Sequence, residues 1–197
     1  MSYLESLKRR RSVYEINKSI TISEETIIKT IEEVTLLTPS AYNSQSQRVV
    51  ILLKEKHDYL WELVKSEIKK LVSEKDFANS EAKINGFKNG YGTVLFFDDE
   101  ETTKALTEKF PLYKDNFLKW AVEQNGMLQV NVWNALADLG IGASLQHYNE
   151  LIEAGIKKAL DIPKAWKLNA QMPFGNIVNQ PEDKEKFAIN KRVKIFK

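Results

Sequence analysis

The stretch Thr38 to Leu53 reads TPSAYNSQSQRVVILL. Its second half, continued to Lys54 as RVVILLK, is an uninterrupted β-branched and apolar run, the pattern of a strand covered on both faces. Its first half sets Ser40, Asn43, Ser44, Gln45 and Ser46 directly before that strand. A helix-to-strand loop needs one or two turn residues. A row of side chains that both donate and accept hydrogen bonds points instead to something polar and flat lying against it.

Working outward, Pro39 ends a helix carried by TISEETIIKTIEEVTLL, with Ser23 or Thr21 as N-cap and Ile27, Ile28, Ile31 and Val34 at helical spacing. A shorter helix precedes it over about Tyr3 to Arg10. TVLFFDD, Thr93 to Asp99, reads as a second strand of the same buried kind. Between the strands, Asp58 to Ser73 places Leu60, Leu63, Val64, Ile68, Leu71 and Val72 on one helical stripe, with His57 expected in solvent at its start. Then comes FLKWAVEQNGMLQVNVWNALADLG, a long helix apolar over much of its circumference and closed by Gly140. So apolar a surface is covered either by a partner subunit or by the position of a central core helix. A short strand near Ala143 to Gln146, a helix from Glu150 to Leu160 and a strand from Lys167 to Pro173 follow, and KRVKIF ends the chain in a strand-like pattern. The irregular interleaving gives an α+β fold with a mixed sheet flanked by helices. No repeat or linker divides the chain, so residues 1–197 read as one domain.

Composition excludes several functions. The 197 residues, 43% hydrophobic and 28% charged, suffice for one packed core. A net charge of +2 is too small for phosphate-driven nucleic-acid binding, and no apolar run is long enough for a membrane span. The N-terminus MSYLESLKRRRS has positive charge with no apolar region behind it, and a cytoplasmic location is expected. There is no cysteine, which fits a reducing compartment and leaves any redox chemistry to a cofactor. GxGxxG, a P-loop, HExxH and GxSxG are all absent, which removes the usual nucleotide folds, a zinc protease site and a serine hydrolase. No metal site is expected from His57 and His147, which lie far apart.

The segment KRRRSVYEI is the second unusual feature. Arg9, Arg10 and Arg11 close a short helix, where they either offset its C-terminal dipole and face water or, with Ser12, cradle a phosphate through forked guanidinium donors and a hydroxyl. In NKRVKIF, Lys191, Arg192 and Lys194 form another cationic cluster; in an extended chain Arg192 and Lys194 share a side, and the two clusters either converge on one phosphate or are plain surface charge.

RRSVY, PSAYNSQSQR, GYGTVLFF, GIGASLQHYN and AQMPFG, in that order before a basic tail, resemble the FMN-dependent nitroreductase family. The similarity spans essentially the whole chain and is strongest to a short subgroup containing fungal fatty-acid-repression proteins and bacterial copper-induced nitroreductases. The resemblance implies an intertwined homodimer with FMN at the subunit interface. It implies hydride uptake from NADH or NADPH and reduction of a nitroaromatic, quinone or similar small acceptor by a ping-pong scheme, which needs no dinucleotide domain. By the same resemblance, Arg10, Arg11 and Ser12 meet the flavin phosphate and ribityl chain, and Arg192 and Lys194 are C-terminal phosphate partners. Pro39, Ser40, Ala41 and Asn43 reach the flavin of the other subunit, and the backbone amides of Leu145, Gln146 and His147 face the isoalloxazine.

The chain departs from that family where many members carry a lysine two residues after the conserved serine; here Tyr14 stands. A cation at the flavin N1 and O2 edge raises its potential and a neutral phenol does not, so either the potential is lower or another cation, with Lys83 the candidate, substitutes. The acceptor site is expected to be more open than in larger members or built from FPLYKDNF, whose aromatics fit a structural core equally. No catalytic acid is required, and His147 is expected to pack beside the flavin. The other function class compatible with the sequence is a flavin-binding or flavin-free regulatory dimer acting through a protein partner.

Overall fold

The computed structural model describes residues 3–197. A short helix α1 (Tyr3–Arg9) leads to a two-residue strand β1 (Ile16–Asn17) and helix α2 (Glu24–Leu37), whose N-cap Ser23 accepts from the Thr26 amide. Strand β2 (Gln47–Leu53) passes without a loop into α3 (Lys54–Lys69), followed by α4 (Glu74–Lys88), β3 (Gly92–Asp99) and α5 (Glu100–Lys109). The long helix α6 (Lys114–Asp138), β4 (Ile141–Ala143), α7 (Asn149–Leu160) and β5 (Trp166–Ile177) complete the domain. Gly140, at φ 76, takes the left-handed turn that stops α6. Among the described residues no helix is long and apolar enough to cross a membrane.

The sheet runs β1-β5-β3-β2, with β4 also on β5, and every ladder is antiparallel; the parallel component is the isolated bridge between Ser12 and Ala143. Side chains alternate along β3. Val94 and Phe96 join Ile27, Ile31, Leu128, Val132 and Leu136 from α2 and α6 on one face. Leu95 and Phe97 join Leu60, Trp61, Val64, Ile84, Phe87, Ile152 and Ile156 from α3, α4 and α7 on the other. The β3–β5 register slips between Phe96 and Phe97, so that Asn169 is passed over and Leu168 and Ala170 fall on opposite faces.

Several elements depart from the sequence reading. β2 is an edge strand and is only half-buried along most of its length, since this chain puts no strand beyond it; the expectation of cover on both faces holds for β3 alone. α3 begins and ends about a turn early, which leaves Leu71 exposed. His57 is fully buried rather than solvated: its Nε2–H donates to the Lys88 carbonyl (3.0 Å), and Nδ1 lies 2.9 Å from the Thr93 hydroxyl, which also accepts from Trp61 Nε1. Helices α4 and α5 were not anticipated, although Ser73 with Asp76 and Asp99 with Glu101 are visible N-terminal caps. The basic tail forms no strand among the described residues; it makes a single turn at Ile189–Lys191 and is otherwise exposed.

Candidate functional site

Past α1 the chain runs alongside β4. Ser12 pairs with Ala143, the Val13 amide donates to the Ala143 carbonyl (2.9 Å), and Trp133 Nε1 donates to the same oxygen (3.2 Å). The Arg10 guanidinium lies 4.4 Å above the Trp133 ring. Among the described residues it makes no side-chain hydrogen bond or ion pair. Burial, and then the charge of Arg11, push its pKa below the ordinary arginine value, so an anion placed here relieves both penalties. Arg11 pairs with Asp183 (2.7 Å) and donates to the Glu182 carbonyl. These residues line a groove of about 480 Å³ with Ser12, Lys8, Lys184 and Lys186, and its single acid is Asp183. The groove brings Arg10, Arg11 and Ser12 together, with charge, guanidinium donors and a hydroxyl of the kind that bind a phosphate monoester. Lys184 and Lys186 were missed, because nothing in the sequence ties that part of the tail to the N-terminus. Arg192 and Lys194 lie exposed beyond it, and no hydrogen bond or ion pair joins them to Arg10, Arg11 or Ser12.

The turn after β4 stands beside Ser12. Gln146 is buried and trades both backbone hydrogen bonds with Gln171 (2.7 and 2.9 Å), so its amide is already committed and cannot donate to a ligand as expected. The amides of Leu145 and His147 have no intrachain acceptor among the described residues and remain available. Gln171 is fully buried; its side chain accepts from the Tyr148 amide (2.7 Å) and donates to Asn149 Oδ1 (2.6 Å), which fixes the turn. His147 is exposed.

Tyr14 and Lys83 meet at one ring. The Tyr14 and Phe87 centroids are 6.5 Å apart, and Lys83 Nζ, on the exposed side of α4, is 5.8 Å from the Phe87 ring. Lys83 therefore stands next to the position from which the usual lysine is missing.

The loop of Pro39, Ser40, Ala41 and Asn43 is held on the other side of the molecule. Tyr42, Asn43 and Gln45 all have positive φ (54, 51 and 49°), and none is glycine. Each such residue costs roughly 1–2 kcal/mol of backbone strain, and the loop keeps its path only because its surroundings dictate it. Buried Gln124 of α6 is the hub: Oε1 accepts from the Ala41 amide (2.9 Å), while Nε2 donates to Ser46 Oγ (2.7 Å) and Ser44 Oγ (3.3 Å). Ser46 Oγ in turn donates a hydrogen bond to buried Asp98 (2.5 Å), which also accepts from Thr103 (2.8 Å). The Gln45 amide donates to Ser40 Oγ (2.9 Å). The Tyr42 ring packs among Phe110, Tyr113, Phe117 and Trp120, at 6.1 Å and 23° from the last. Phe117 is core, so FPLYKDNF has a structural role at that residue.

The row of polar residues that opened the question is thus partly accounted for within the chain. Ser44 and Ser46 face inward to Gln124, whereas Asn43 and Gln45 line a groove of about 610 Å³ with Ile31, Leu36, Val49 and Ile51. This concavity lies on the open β2 side and shares no lining residue with the arginine groove. Trp133, under Arg10, and Gln124, under the loop, are roughly 13–14 Å apart along α6 at about 1.5 Å per residue. The arginine groove and the polar loop are therefore attached at separate places on the same helix.

The sequence pattern described as Nitroreductase family matches residues 7–176. Nitroreductase FRM2 of Saccharomyces cerevisiae is 31% identical over 199 residues, covering 99% of this chain and 97% of the yeast protein. Among solved structures, nitroreductase CinD from Lactococcus lactis in complex with chloramphenicol superposes over 100% of both chains, with a TM-score of 0.92 and 41% identity. The complex of CinD with 4-nitrophenol gives 0.91 and 41% over the same coverage.

Proposed function

Because the chain belongs to the nitroreductase family, and is by that membership an oxidoreductase of the flavin-dependent kind, we propose that it holds FMN between two copies of itself and reduces nitroaromatics, quinones or similar small acceptors at the expense of NADH or NADPH. FMN so held would supply the redox chemistry of a ping-pong sequence, hydride uptake from the nicotinamide and two-electron reduction of the acceptor, with the further proton drawn from water. The observation that carries the reading is Arg10: a guanidinium stacked on Trp133, partly desolvated, without a counterion among the described residues, and two residues from Ser12, whose backbone is bridged to Ala143.

The protein's own groups then have distinct tasks. Arg10, Arg11 and Ser12 bind the phosphate end, with Arg192 and Lys194 contributed by the tail. The free amides of Leu145 and His147 orient the ring system, and Lys83 with Tyr14 faces its N1 and O2 edge. Pro39, Ser40, Ala41 and Asn43 close the site of the second copy. The dimer reading is supported by surfaces left open in one chain: the β2 edge, the apolar α6 residues Leu118 (62% exposed) and Val122 (66%), and a tail whose Phe187, Ile195 and Phe196 face solvent. The chloramphenicol and 4-nitrophenol complexes of CinD support a nitroaromatic as acceptor.

Titration of flavin-free protein with FMN tests this directly. Arg10→Ala is expected to weaken binding about ten- to a hundredfold, the equivalent of a lost charge-assisted hydrogen bond of about 1.5–3 kcal/mol. Equal affinity in the variant and the parent contradicts the assignment.

A further inference from the structure

Strain in the loop from Ser40 to Ser46 demands an agent that holds it, and α6 supplies one. Three residues without glycine's freedom adopt left-handed backbone here. Hydrogen bonds within the loop do not fix its position on the domain. The Gln45 amide to Ser40 Oγ, the Asn43 amide to the Ser40 carbonyl and the Ser44 amide to the Ala41 carbonyl close the loop on itself only. The C-terminal end of the loop is also held by β2 and β3: Arg48 donates to the Gln45 carbonyl, and Ser46 donates to Asp98 and accepts from the Asp99 amide. The N-terminal half is attached outside through Gln124 and, by its ring, Tyr42.

Gln124 is suited to this in a way that few side chains are. It is 3% exposed, and its amide both accepts and donates, taking up the Ala41 N–H on one side and the Ser44 and Ser46 hydroxyls on the other. Its backbone carbonyl accepts from Gln47 Nε2 (3.2 Å), and the same Nε2 reaches the Pro39 carbonyl (3.2 Å). Both ends of the loop are therefore tied to one residue. Ser46 cannot reverse its hydroxyl to compensate for a change at position 124, because its proton is committed to Asp98.

We infer that Gln124 is a positioning residue for the binding of donor and acceptor: it touches no reactant, and fixes the strained loop that forms one wall of the site in which they stack. This rests on the flavin reading above, since the loop matters to the reaction only if it closes a flavin pocket. Tyr42, clamped by the α5–α6 aromatics, is the second fastening and limits how far the loop departs when the first is lost.

The test uses the FMN-loaded dimer. Gln124→Met keeps the length and apolar volume of the side chain and removes its donor and acceptor. The expected result is a rise of about tenfold in KM for NADH and for 4-nitrobenzoate with kcat changed less than about twofold, because a wall that contacts the bound and the reacting states alike contributes uniform binding. Hydrogen exchange at the Ala41 and Gln45 amides should accelerate in parallel. Adding Gln45→Gly, which accepts positive φ without a Cβ penalty, should return part of the KM change. A variant that loses thermal stability but keeps both KM values shows a purely structural role and overturns the proposal. So does faster loop exchange with unchanged kinetics. Parent protein that binds no FMN, or whose flavin NADH cannot reduce, overturns it by a different route, through the flavin reading, and is distinguished because it appears before any variant is made.

Discussion

β2 and β3 are neighbours in one sheet, both built from β-branched and aromatic or aliphatic residues, and they end in opposite situations. β3 has a strand on each side and helices on both faces, and Val94 to Phe97 are completely buried. β2 has β3 on one side and, within this chain, nothing on the other; Val49 and Ile51 line an open groove. The residue types of a strand report that it is apolar, whereas the place of that strand in the sheet decides whether the chain itself covers it. An edge that keeps interior composition is one that a second copy is expected to cover.

Substitutions in the two strands should therefore fail differently. The largest effect is expected in β3: Phe96→Ala empties the middle of one core and should cost about 3–5 kcal/mol in denaturant unfolding. A loss below ~1 kcal/mol would mean that β3 is not the closed strand described. In β2, Val49→Lys should cost the fold only about 1–2 kcal/mol, because the lysine stem can lie along the groove. Its main effect should be on assembly: if the parent dimerises as proposed, sedimentation should show the variant monomeric at the same concentration. A Val49→Lys variant that remains dimeric would place the interface elsewhere.

His57 sharpens the contrast from the closed side, since it reads the interior at Thr93 of β3. Burial lowers its pKa, outweighing the Lys88 carbonyl and the nearby Asp58, which favour the protonated form. The unfolded chain then binds a proton that the folded chain refuses as the pH falls below the unfolded value of about 6.5. Stability is full above that pH and declines through the window beneath it. His57→Gln should be less stable at neutral pH and lose that part of the slope; a parent and variant with parallel pH profiles would contradict it. The smallest effect concerns the site. Lys83→Gln should lower the flavin potential by on the order of 30 mV, a tenfold change in a two-electron equilibrium. An unchanged potential would return Lys83 to being a surface residue resting on Phe87.

Much of this was legible in the sequence where one local signal sufficed. Ser23 as cap, Gly140 as stop and the β3 run each carry their own physical cause, and Arg10, Arg11 and Ser12 stood out because like charges beside a hydroxyl are costly without an anion. What escaped depended on distant partners. His57 looked solvated because its acceptors, Thr93 and Lys88, come from another strand and helix. The Gln146 amide is claimed by Gln171 through a β-bridge that no spacing announces. Gln124 sits in an apolar helix where an amide looks like a surface residue, and only its contacts with Ala41, Ser44 and Ser46 reveal the hub. The strand-like pattern of the tail has no counterpart because alternation alone forms no strand without a neighbouring strand to pair with, and the tail meets none among the described residues.

The most direct test of the account is the absorption spectrum of the FMN-reconstituted protein, recorded anaerobically before and after NADH or NADPH and again after a nitroaromatic is added. The account predicts oxidised-flavin bands at one FMN per chain that bleach with at least one nicotinamide and return with the acceptor. Protein that takes up no FMN, or whose bound flavin neither nicotinamide can bleach, would contradict it.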